Sequence, residues 1–472
     1  MEACMESRAI NLPEIVSIIM SYLPTSDLKN CTLVNTAWER EARTHLMSRT
    51  KVTLTRKNFR PYFKNRLRLC HKNVDISLLD IQTPSGMTSF LKNLTPHLKR
   101  HSAKISRLHI DVLLIGYESP ISSQILEIFK ILKNLKSLDL RVTFWGSSHK
   151  RDFTHVSQLI EQNVGTLSSV TKLRFRIPAP FSPLGPPADQ HLYNILATCL
   201  PPLIKLCPNV QVLKLVNTPV FEMSPFPPKL TMLSVRRTDG NSINLSTPQF
   251  PPLKNMSKLI RLEVNLNLHS EMACPTLLTL LAPQLEHFAI RWVTNSSPGP
   301  RSTVTFIFPI FPKLKVFEIR RSQAFFQEGK WLRPNLYFKF ATEDKNTGVN
   351  VAYAKQFPVL EKIIIRKEND LRKGAKGYSD NFYFENSVPF LLETFLWSTK
   401  SPCQTLKYLD IPFPPRNRFR YNRMTRAGDC GEAEEVCHCW GLMEASIFYD
   451  LVVKVFPKVE NKSWRRDELR KL

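Results

Sequence analysis

The chain has 472 residues, 43% of them hydrophobic, and its 66 Lys and Arg against 40 Asp and Glu give a formal charge of +26. This length and composition predict a globular protein with more than one domain and exclude a disordered chain. No apolar run approaches the ~20 residues of a membrane-spanning helix, and the acidic N-terminus, with Glu2 and Glu6, does not fit a secretory signal. We therefore expect a protein of the cytoplasm, the nucleus or both, with no membrane partner and with reduced cysteines.

The positive charge is spread along the chain, which favours acidic or phosphorylated protein segments, or nucleic acid, as partners. A solvated basic surface explains the same charge without any partner. No Gly-rich loop precedes a helix, and neither a G-x-S-x-G nor an H-E-x-x-H motif is present. The sequence thus predicts a protein with no catalytic residues and no cofactor.

Residues 1–11 are a short segment before the first predicted helix, and residues 12–38 have the pattern of short helices. Pro13 suits a first helical position, Pro24 ends this helix, and the run of residues 25–27 caps the next one. The large apolar residues at helical spacing are Ile15, Ile18, Ile19, Tyr22, Leu28, Cys31 and Val34. About 30 residues cannot bury so many apolar side chains alone. The unit therefore either docks on its own chain as an N-terminal cap or presents a socket to a partner.

The order of residues in this unit resembles the F-box motif, which docks the Skp adaptor of cullin-RING ubiquitin ligases. The start is one residue tighter than the commonest form, and Asn35-Thr36 stands where many members have Cys-Lys. The resemblance implies an F-box helical domain over residues 1–48. The residues to which it assigns adaptor contact are Leu12, Pro13, Ile15, Ile18, Ile19, Leu23, Leu28, Val34 and Trp38.

Residues 49–104 are basic and mixed, with a predicted helix around residues 88–100, and read as a linker and cap leading into a repeat array. From residue 105 onward one pattern recurs: apolar, two residues, apolar, one residue, apolar. Its ten copies start at Ile105, Leu135, Val170, Val210, Leu230, Leu259, Leu285, Leu314, Leu360 and Leu406. Helical patterns separate several copies, as at residues 123–132, 155–164 and 191–200. A short strand plus a helix or loop, repeated, is typical of a leucine-rich-repeat solenoid.

The predicted fold class is therefore α/β: a three-helix F-box followed by an irregular leucine-rich-repeat horseshoe over residues 105–415, with parallel strands on its concave face. The Asn that regular repeats carry after the strand occurs only as Asn267, so we expect irregular coils. Residues 416–472 are predicted to form a basic loop and a C-terminal helical cap, with the helix over residues 434–456.

The loop at residues 416–426 places Phe419 and Tyr421 between arginines, a pattern that suits stacking on nucleic-acid bases but also fits a solvated loop. Cys430, Cys437, His438 and Cys439 invite a zinc interpretation. Their spacing lacks the paired C-x2–4-C knuckles of structural zinc sites. We therefore expect no metal and interpret these cysteines as thiols of the capping helix.

Arginine follows the repeat pattern directly in six of the ten copies. Because side chains alternate along a strand, these positions face the concave side, where like charges about 4.8 Å apart repel one another. The residues predicted to bind a substrate are Arg141, Arg174, Arg176, Arg236, Arg291, Arg320 and Arg366. Arg grips a carboxylate or phosphate in two places. The alternative is pairing within the chain, with Asp139, Glu263, Glu318 and Asp410 as the available acids.

An F-box followed by leucine-rich repeats resembles the substrate receptors of Skp-cullin-F-box (SCF) ubiquitin ligases. The resemblance implies a non-catalytic subunit that holds the Skp adaptor and, through it, cullin and the RING subunit, while its repeats hold an acidic or phosphorylated protein. The rival function is a basic repeat scaffold that binds nucleic acid or acidic proteins outside a ligase.

Overall fold

The structure, a computed structural model, describes residues 12–64, 71–81, 83–114, 119–144, 167–177, 200–216, 226–236, 256–267, 275–293, 304–321, 326–327, 330–331, 336–342, 351–367, 391–396, 401–411, 418–424 and 438–460. The chain divides into two compact units, Met1–Leu230 and Thr231–Leu472. The fold is mixed α/β and is built on a parallel sheet of twelve strands, six from each unit. This arrangement is compatible with the predicted α/β solenoid-like fold.

The first unit begins with three helices and continues as strands alternating with helices. Its helices are α1 (Pro13–Tyr22), α2 (Thr25–Cys31), α3 (Thr36–Arg49), α4 (Phe59–Lys64), α5 (Pro84–His101) and α6 (Ser119–Ile131). Its strands, in sheet order, are β1 (Lys51–Leu54), β2 (Asn73–Ser77), β3 (Arg107–Leu114), β4 (Ser137–Phe144), β5 (Lys172–Arg176) and β6 (Val212–Val216). Helix α5 covers the helix predicted at residues 88–100, and α6 covers most of that predicted at 123–132.

The second unit contributes the other six strands of the sheet. These are β7 (Met232–Arg236), β8 (Arg261–Asn267), β9 (His287–Val293), β11 (Val316–Arg321), β15 (Lys362–Lys367) and β16 (Tyr408–Asp410). Three further pairs lie outside it: β10 (Val304–Phe308) with β14 (Leu336–Phe340), β12 (Phe326–Gln327) with β13 (Lys330–Trp331), and β17 (Arg418–Met424) with β18 (His438–Glu444). Its helices are α7 (Pro275–Leu281), α8 (Tyr353–Gln356) and α9 (Ala445–Val455), and residues Leu392–Leu396 form a π-helical turn.

All ten copies of the repeat pattern form strands of the sheet, which confirms that part of the prediction. In β5, for example, Leu173 and Phe175 are buried, whereas Arg174 and Arg176 on the opposite face are half-buried. The strands pair in register, so that Leu138, Leu173 and Leu213 are aligned across β4, β5 and β6. Each copy therefore places an apolar side chain at the same level of the core.

Polar side chains directly before the repeats join one coil to the next. Asn134 donates to the carbonyl oxygen of Ala103 at 3.2 Å, and Asn209 donates to that of Ser168 at 2.7 Å. In the second unit Gln284 donates to the carbonyl oxygen of Met256 at 2.7 Å. These bonds satisfy backbone carbonyls between coils, as the Asn that regular repeats carry after the strand would do.

The core of the second unit is rich in phenylalanine. Phe288 stacks on Phe317 with ring centroids 6.1 Å apart, and Phe308 packs edge-on against Phe317 at 5.6 Å. Buried Gln356 supports this cluster, because its side-chain amide donates to the carbonyl oxygen of Pro309 at 2.5 Å. Large aromatic rings thus make up much of the core beside these strands.

The two ends of the sheet differ from the sequence prediction. Strands β1 and β2 lie within residues 49–104, so the sheet begins inside the segment interpreted as a linker and cap. Further along the chain, residues 418–424 form a strand where a loop was expected, and within the described part of the predicted helix 434–456, residues 438–444 are extended and 445–455 are helical. Pairing of β17 with β18 explains both differences, since residues 438–444 take up extended backbone opposite β17.

Helix α9 and the residues after it contact the segment that precedes β16. Phe448, Val452 and Val455 are buried, and the amide of Cys403 donates to the carbonyl oxygen of Val455 at 2.7 Å. Beyond the helix, the amide of Glu460 donates to the carbonyl oxygen of Lys407 at 2.8 Å. Cys31, Cys207 and Cys403 are buried free thiols.

Some sequence predictions fall outside the described residues. These are the helix at residues 155–164, most of the helix at 191–200, and Cys430 and Cys437. Within the described ranges, none of the helices combines the length and apolar character needed to cross a lipid bilayer.

Candidate interaction surfaces

The first candidate surface belongs to helices α1, α2 and α3, which form a small bundle with its own core. A residue suited to a helix start stands at the beginning of each helix. Pro13 is the first residue of α1, and Pro24 directly precedes α2. The Asn35 side chain caps α3 by accepting a hydrogen bond from the Trp38 amide at 3.0 Å. The core consists of Val16, Met20, Leu28, Cys31 and Ala42, with Leu23, Trp38 and Leu46 packed against it. The bundle thus buries one face of α1 within itself.

Side-chain bonds fix α1 against α3. Ser17 Oγ lies 3.1 Å from His45 Nε2, which joins the middle of the two helices. At the end of α3, Arg49 Nη2 donates to the carbonyl oxygens of Met20 at 2.9 Å and Ser21 at 2.6 Å, and Nη1 donates to that of Leu23. These carbonyls end α1 and have no partner within the helix. Arg49 therefore satisfies them and holds the helix at a fixed angle.

A second apolar face of α1 points to solvent. Leu12, Ile15, Ile18 and Tyr22 follow one another at intervals of three or four residues and are 49%, 40%, 60% and 84% exposed. We call these four residues the α1 apolar face. Leu33 and Val34, in the turn before α3, are also exposed, at 84% and 59%. Clusters of exposed large apolar side chains mark interaction sites more often than they mark free surface.

The nine residues predicted to contact an adaptor separate into three groups. Leu12, Ile15, Ile18 and Val34 are exposed, whereas Pro13 and Ile19 are half-buried. Leu28 is fully buried in the bundle core, and Leu23 and Trp38 pack against that core. The structure thus divides a single list of apolar positions into those that hold the bundle together and those that a partner can reach.

Two of the most exposed apolar residues, Tyr22 and Leu33, were not among the nine. Tyr22 continues the spacing of Ile15 and Ile18 by one further turn, so the helical period could have added it to the surface. Leu33 lies in an irregular turn, where no period applies.

The second candidate surface is the face of the sheet that carries the predicted substrate-binding arginines; we call it the arginine face. In the first unit Arg176 grips Asp139 with two hydrogen bonds, from Nε to Oδ1 and from Nη2 to Oδ2, each 3.0 Å long. Arg174 Nη1 lies 3.9 Å from the same carboxylate. Burial raises the pKa of Asp139, but His109 and Arg176 outweigh it and hold that pKa below its usual range. Both arginines are therefore engaged with an acid of their own face.

Strand β3 places His109 among acidic residues. Its Nε2 lies 3.0 Å from Asp111 Oδ1 and 3.6 Å from Asp75 Oδ1, and its Nδ1 lies 3.1 Å from the carbonyl oxygen of Asp139. Burial lowers the pKa of His109, but the carboxylates of Asp111 and Asp139 outweigh burial and raise it to about 9. Asp75 and Asp111 are 5% and 8% exposed. This end of the arginine face thus carries buried carboxylates in contact with its cations.

In the second unit Arg236 takes part in a network around Glu263, which is only 6% exposed. Arg261 Nη2 donates to Glu263 Oε1 at 2.5 Å, Ser234 Oγ donates to Oε2 at 3.0 Å, and Arg236 Nη2 lies 3.5 Å from Oε2. Burial raises the pKa of Glu263, but these groups outweigh it and lower the pKa. Arg261 was not among the seven predicted arginines; it faces the same way because it stands two residues before Glu263 on β8.

Arg320 also pairs within its own strand. Its Nε donates to Glu318 Oε1 at 2.6 Å, and His287 Nε2 lies 3.4 Å from Glu318 Oε2. Burial raises the pKa of Glu318, but the contacts with His287 and Arg320 outweigh burial and lower it to about 2. The carboxylate is thus held charged in a site that is 5% exposed.

The strand register aligns several of the predicted arginines. Arg141 is the Cα partner of Arg176, and Arg320 is the partner of both Arg291 and Arg366. Three arginines therefore stand at one level of β9, β11 and β15, the arrangement expected from the repeat. The alternative considered for these residues is pairing with acids of the same chain. Contacts with an acidic side chain are made by Arg174, Arg176, Arg236 and Arg320. The Arg366 side chain lies outside the described atoms.

No protein-family model matches this chain, and no curated protein matches it.

Proposed function

We propose that this protein is the substrate-recognition subunit of an SCF-type ubiquitin ligase. In this proposal helices α1 to α3 are an F-box that docks the Skp adaptor, the parallel sheet is the strand layer of a leucine-rich-repeat horseshoe, and the arginine face holds an acidic or phosphorylated protein. The chain makes and breaks no bonds itself. It raises the local concentration of substrate beside the ubiquitin-conjugating enzyme, in the cytoplasm, the nucleus or both.

The observation that carries the proposal is the exposed α1 apolar face. The bundle already has a closed core of Val16, Met20 and Leu28, so the four exposed residues are not needed to hold the helices together. Leaving Ile18 and Tyr22 60% and 84% exposed costs hydrophobic free energy that a partner surface would recover. An N-terminal cap folded onto its own chain, the alternative for this unit, would instead cover such residues.

The arginine face supports the substrate half of the proposal in a more limited way. Acids such as Asp139, Glu263 and Glu318 alternate with the arginines and form ion pairs with several of them. A face of mixed charge suits a protein segment, whose own charges can exchange with these pairs. A groove for nucleic acid would require cations that remain available to phosphates.

The experiment is a pull-down of the full-length chain with purified Skp adaptor. We expect Ile18→Glu to abolish capture, because it puts a charge on the α1 apolar face. The matched control is Leu280→Glu, since Leu280 is 56% exposed in the second unit, outside the bundle; it should leave capture unchanged. Equal capture by wild type and Ile18→Glu would reject the proposal.

A second measurement separates a ligase subunit from other functions. Cullin and the RING subunit should join the adaptor complex if the chain serves in a ligase, whereas adaptor without cullin would indicate an F-box protein acting outside one. Binding to nucleic acid that weakens steeply with salt, with no adaptor capture, would favour the basic scaffold instead.

A further inference from the structure

The buried cluster of Asp75, His109 and Asp111 in the first unit has no role in adaptor or substrate binding as proposed above. Asp75 lies on β2 and is the Cα partner of His109 on β3, while Asp111 stands two residues after His109 on the same face of β3. Each residue offers one ligand atom, an imidazole nitrogen or a carboxylate oxygen, and the three atoms all lie within 4.8 Å of one another. Two neighbouring strands thus bring two carboxylates and an imidazole to one point.

Two of these atoms are buried without a hydrogen bond. Asp75 Oδ1 and Asp111 Oδ1 are inaccessible to solvent and accept no bond of acceptable geometry, although His109 Nε2 is 3.0 Å from the latter. Buried carboxylate oxygens without a hydrogen bond are costly, and each needs an explanation; His109 Nε2 is their ion-pair contact, at 3.6 Å and 3.0 Å. A cation between them would supply the missing interaction.

The contacts around the three residues orient them towards a common point. Lys51 Nζ lies 2.6 Å from Asp75 Oδ2 and Thr53 Oγ1 donates to the same oxygen at 3.1 Å, so Oδ1 is turned towards His109. His109 Nδ1 lies 3.1 Å from the carbonyl oxygen of Asp139, which accepts its proton, so Nε2 is the nitrogen on the side of Asp75 and Asp111; Arg176 Nη2 lies 3.2 Å from Nδ1 and 3.4 Å from Nε2. This backbone contact is the one that commonly fixes a metal-binding histidine.

The distances fit a bound first-row metal ion. Ligand atoms about 2.0–2.2 Å from such an ion are about 3.0–3.5 Å from one another, and His109 Nε2 lies 3.0 Å and 3.6 Å from the two carboxylate oxygens. We infer that Asp75, His109 and Asp111 bind one divalent cation of the first transition row, with nitrogen and oxygen ligands that suit Mn²⁺ and Zn²⁺.

The test uses Mn²⁺, because thiols bind it poorly and the 10 cysteines then interfere little. The full-length protein is stripped with a chelator, titrated with MnCl₂ and followed by electron paramagnetic resonance. We expect one bound ion per chain with hyperfine coupling to a histidine nitrogen, and displacement of Mn²⁺ by ZnCl₂. His109→Gln and Asp75→Asn should each weaken binding by at least ~100-fold and His109→Gln should remove the nitrogen coupling.

The matched control is His287→Gln, since His287 also lies beside a buried carboxylate, that of Glu318, but has only one acid in contact. It should keep the ion and its coupling. The inference fails if wild-type protein binds no Mn²⁺ at millimolar concentration, in which case a proton on His109 holds the two carboxylates, or if His109→Gln retains the bound ion. The wild-type measurement decides even if a variant folds poorly, and none of these outcomes depends on adaptor binding.

Discussion

Arg49 and Met20 are 29 residues apart, yet the guanidinium of Arg49 donates to the carbonyl oxygen of Met20 at 2.9 Å. This contact joins the last turn of α3 to the last turn of α1. Because α1 carries the exposed apolar face, the orientation of that face depends on a residue that lies outside it.

We therefore expect Arg49→Gln to loosen α1. The three carbonyls that Arg49 satisfies would lose a charged donor, which corresponds to about 1–3 kcal/mol in the stability of the bundle. Hydrogen–deuterium exchange of the peptide covering residues 13–22 should become faster, and adaptor capture should weaken. Arg43→Gln is the control, since Arg43 pairs with Glu39 on the exposed surface of α3 at 2.7 Å and such pairs contribute little. Unchanged exchange in Arg49→Gln would contradict the assigned role.

Leu28 and Ile18 are both in the set of nine F-box residues, and the sequence left open which of these contact the adaptor and which pack inside the unit. The structure predicts different effects for their substitution. Leu28→Ala removes a fully buried side chain and should destabilise the bundle by about 2–5 kcal/mol. Ile18→Ala should change stability by less than about 0.5 kcal/mol but weaken adaptor binding by ~10-fold or more. Denaturant unfolding and adaptor titration of both variants check this division. Equal loss of stability in the two variants would show that the α1 apolar face is part of the core.

The helical period of residues 12–38 predicted α1 but not which of its apolar faces packs inside. Val16 and Met20 share one face, and Ile15, Ile18 and Tyr22 share another, and both satisfy the spacing of an amphipathic helix. Only the positions of α2 and α3 decide between them, and those depend on contacts between residues distant in sequence.

The repeat pattern predicted strands well because each copy buries two or three apolar residues at fixed positions. The pattern missed β1 and β2, because these strands have too few apolar residues to match it. In β1 (Lys51–Leu54), for example, only Val52 and Leu54 are apolar. The sequence also predicted the direction of the arginines and, as the alternative to a partner, the acids available to them, but not which arginine pairs with which acid. Arg320 and Glu318 could have been paired from their spacing of two residues, whereas the pair of Arg176 with Asp139 requires the register of β4 and β5.

The buried carboxylate of Glu318 makes the stability of the fold depend on pH in the acidic range. Its pKa is lowered to about 2 from 4.5, so its charged form stabilises the protein above pH 4.5, and that contribution is lost as the pH falls towards 2. The shift corresponds to about 3 kcal/mol. Glu318→Gln should therefore be less stable than wild type by up to that amount at pH 7, with the difference vanishing near pH 2. Urea unfolding at several pH values measures it.

The control for this prediction is Glu286→Gln. Glu286 pairs with Lys315 at 2.9 Å, but both side chains are largely exposed, so water screens the pair. Its substitution should produce no comparable pH-dependent difference. If the Glu318→Gln variant is as stable as wild type at pH 7, the contacts with Arg320 and His287 do not outweigh the free-energy cost of burying the charged carboxylate.

Charge reversal of Arg236 tests folding as well as binding. Arg236→Glu would place a second acid beside the buried Glu263. We expect it to destabilise the second unit by about 2–4 kcal/mol. The double variant Arg236→Glu/Glu263→Arg should recover part of the loss, because it restores opposite charges. Thermal unfolding of wild type, Arg236→Glu, Glu263→Arg and the double variant measures the coupling, and simple additivity of the two single substitutions would contradict it.

Asn209 provides a test of the polar bonds between coils. Its amide donates to the carbonyl oxygen of Ser168 at 2.7 Å, and its own carbonyl oxygen accepts from Lys229 Nζ at 2.8 Å. Asn209→Ala should therefore cost about 0.5–1.5 kcal/mol, the net contribution of a typical hydrogen bond, since it removes the donor to the Ser168 carbonyl. Lys229→Met, which removes only the exposed lysine contact, should change stability by less than about 0.5 kcal/mol. Denaturant unfolding of both variants checks the ranking; an equal effect would mean that water replaces the Asn209 bond.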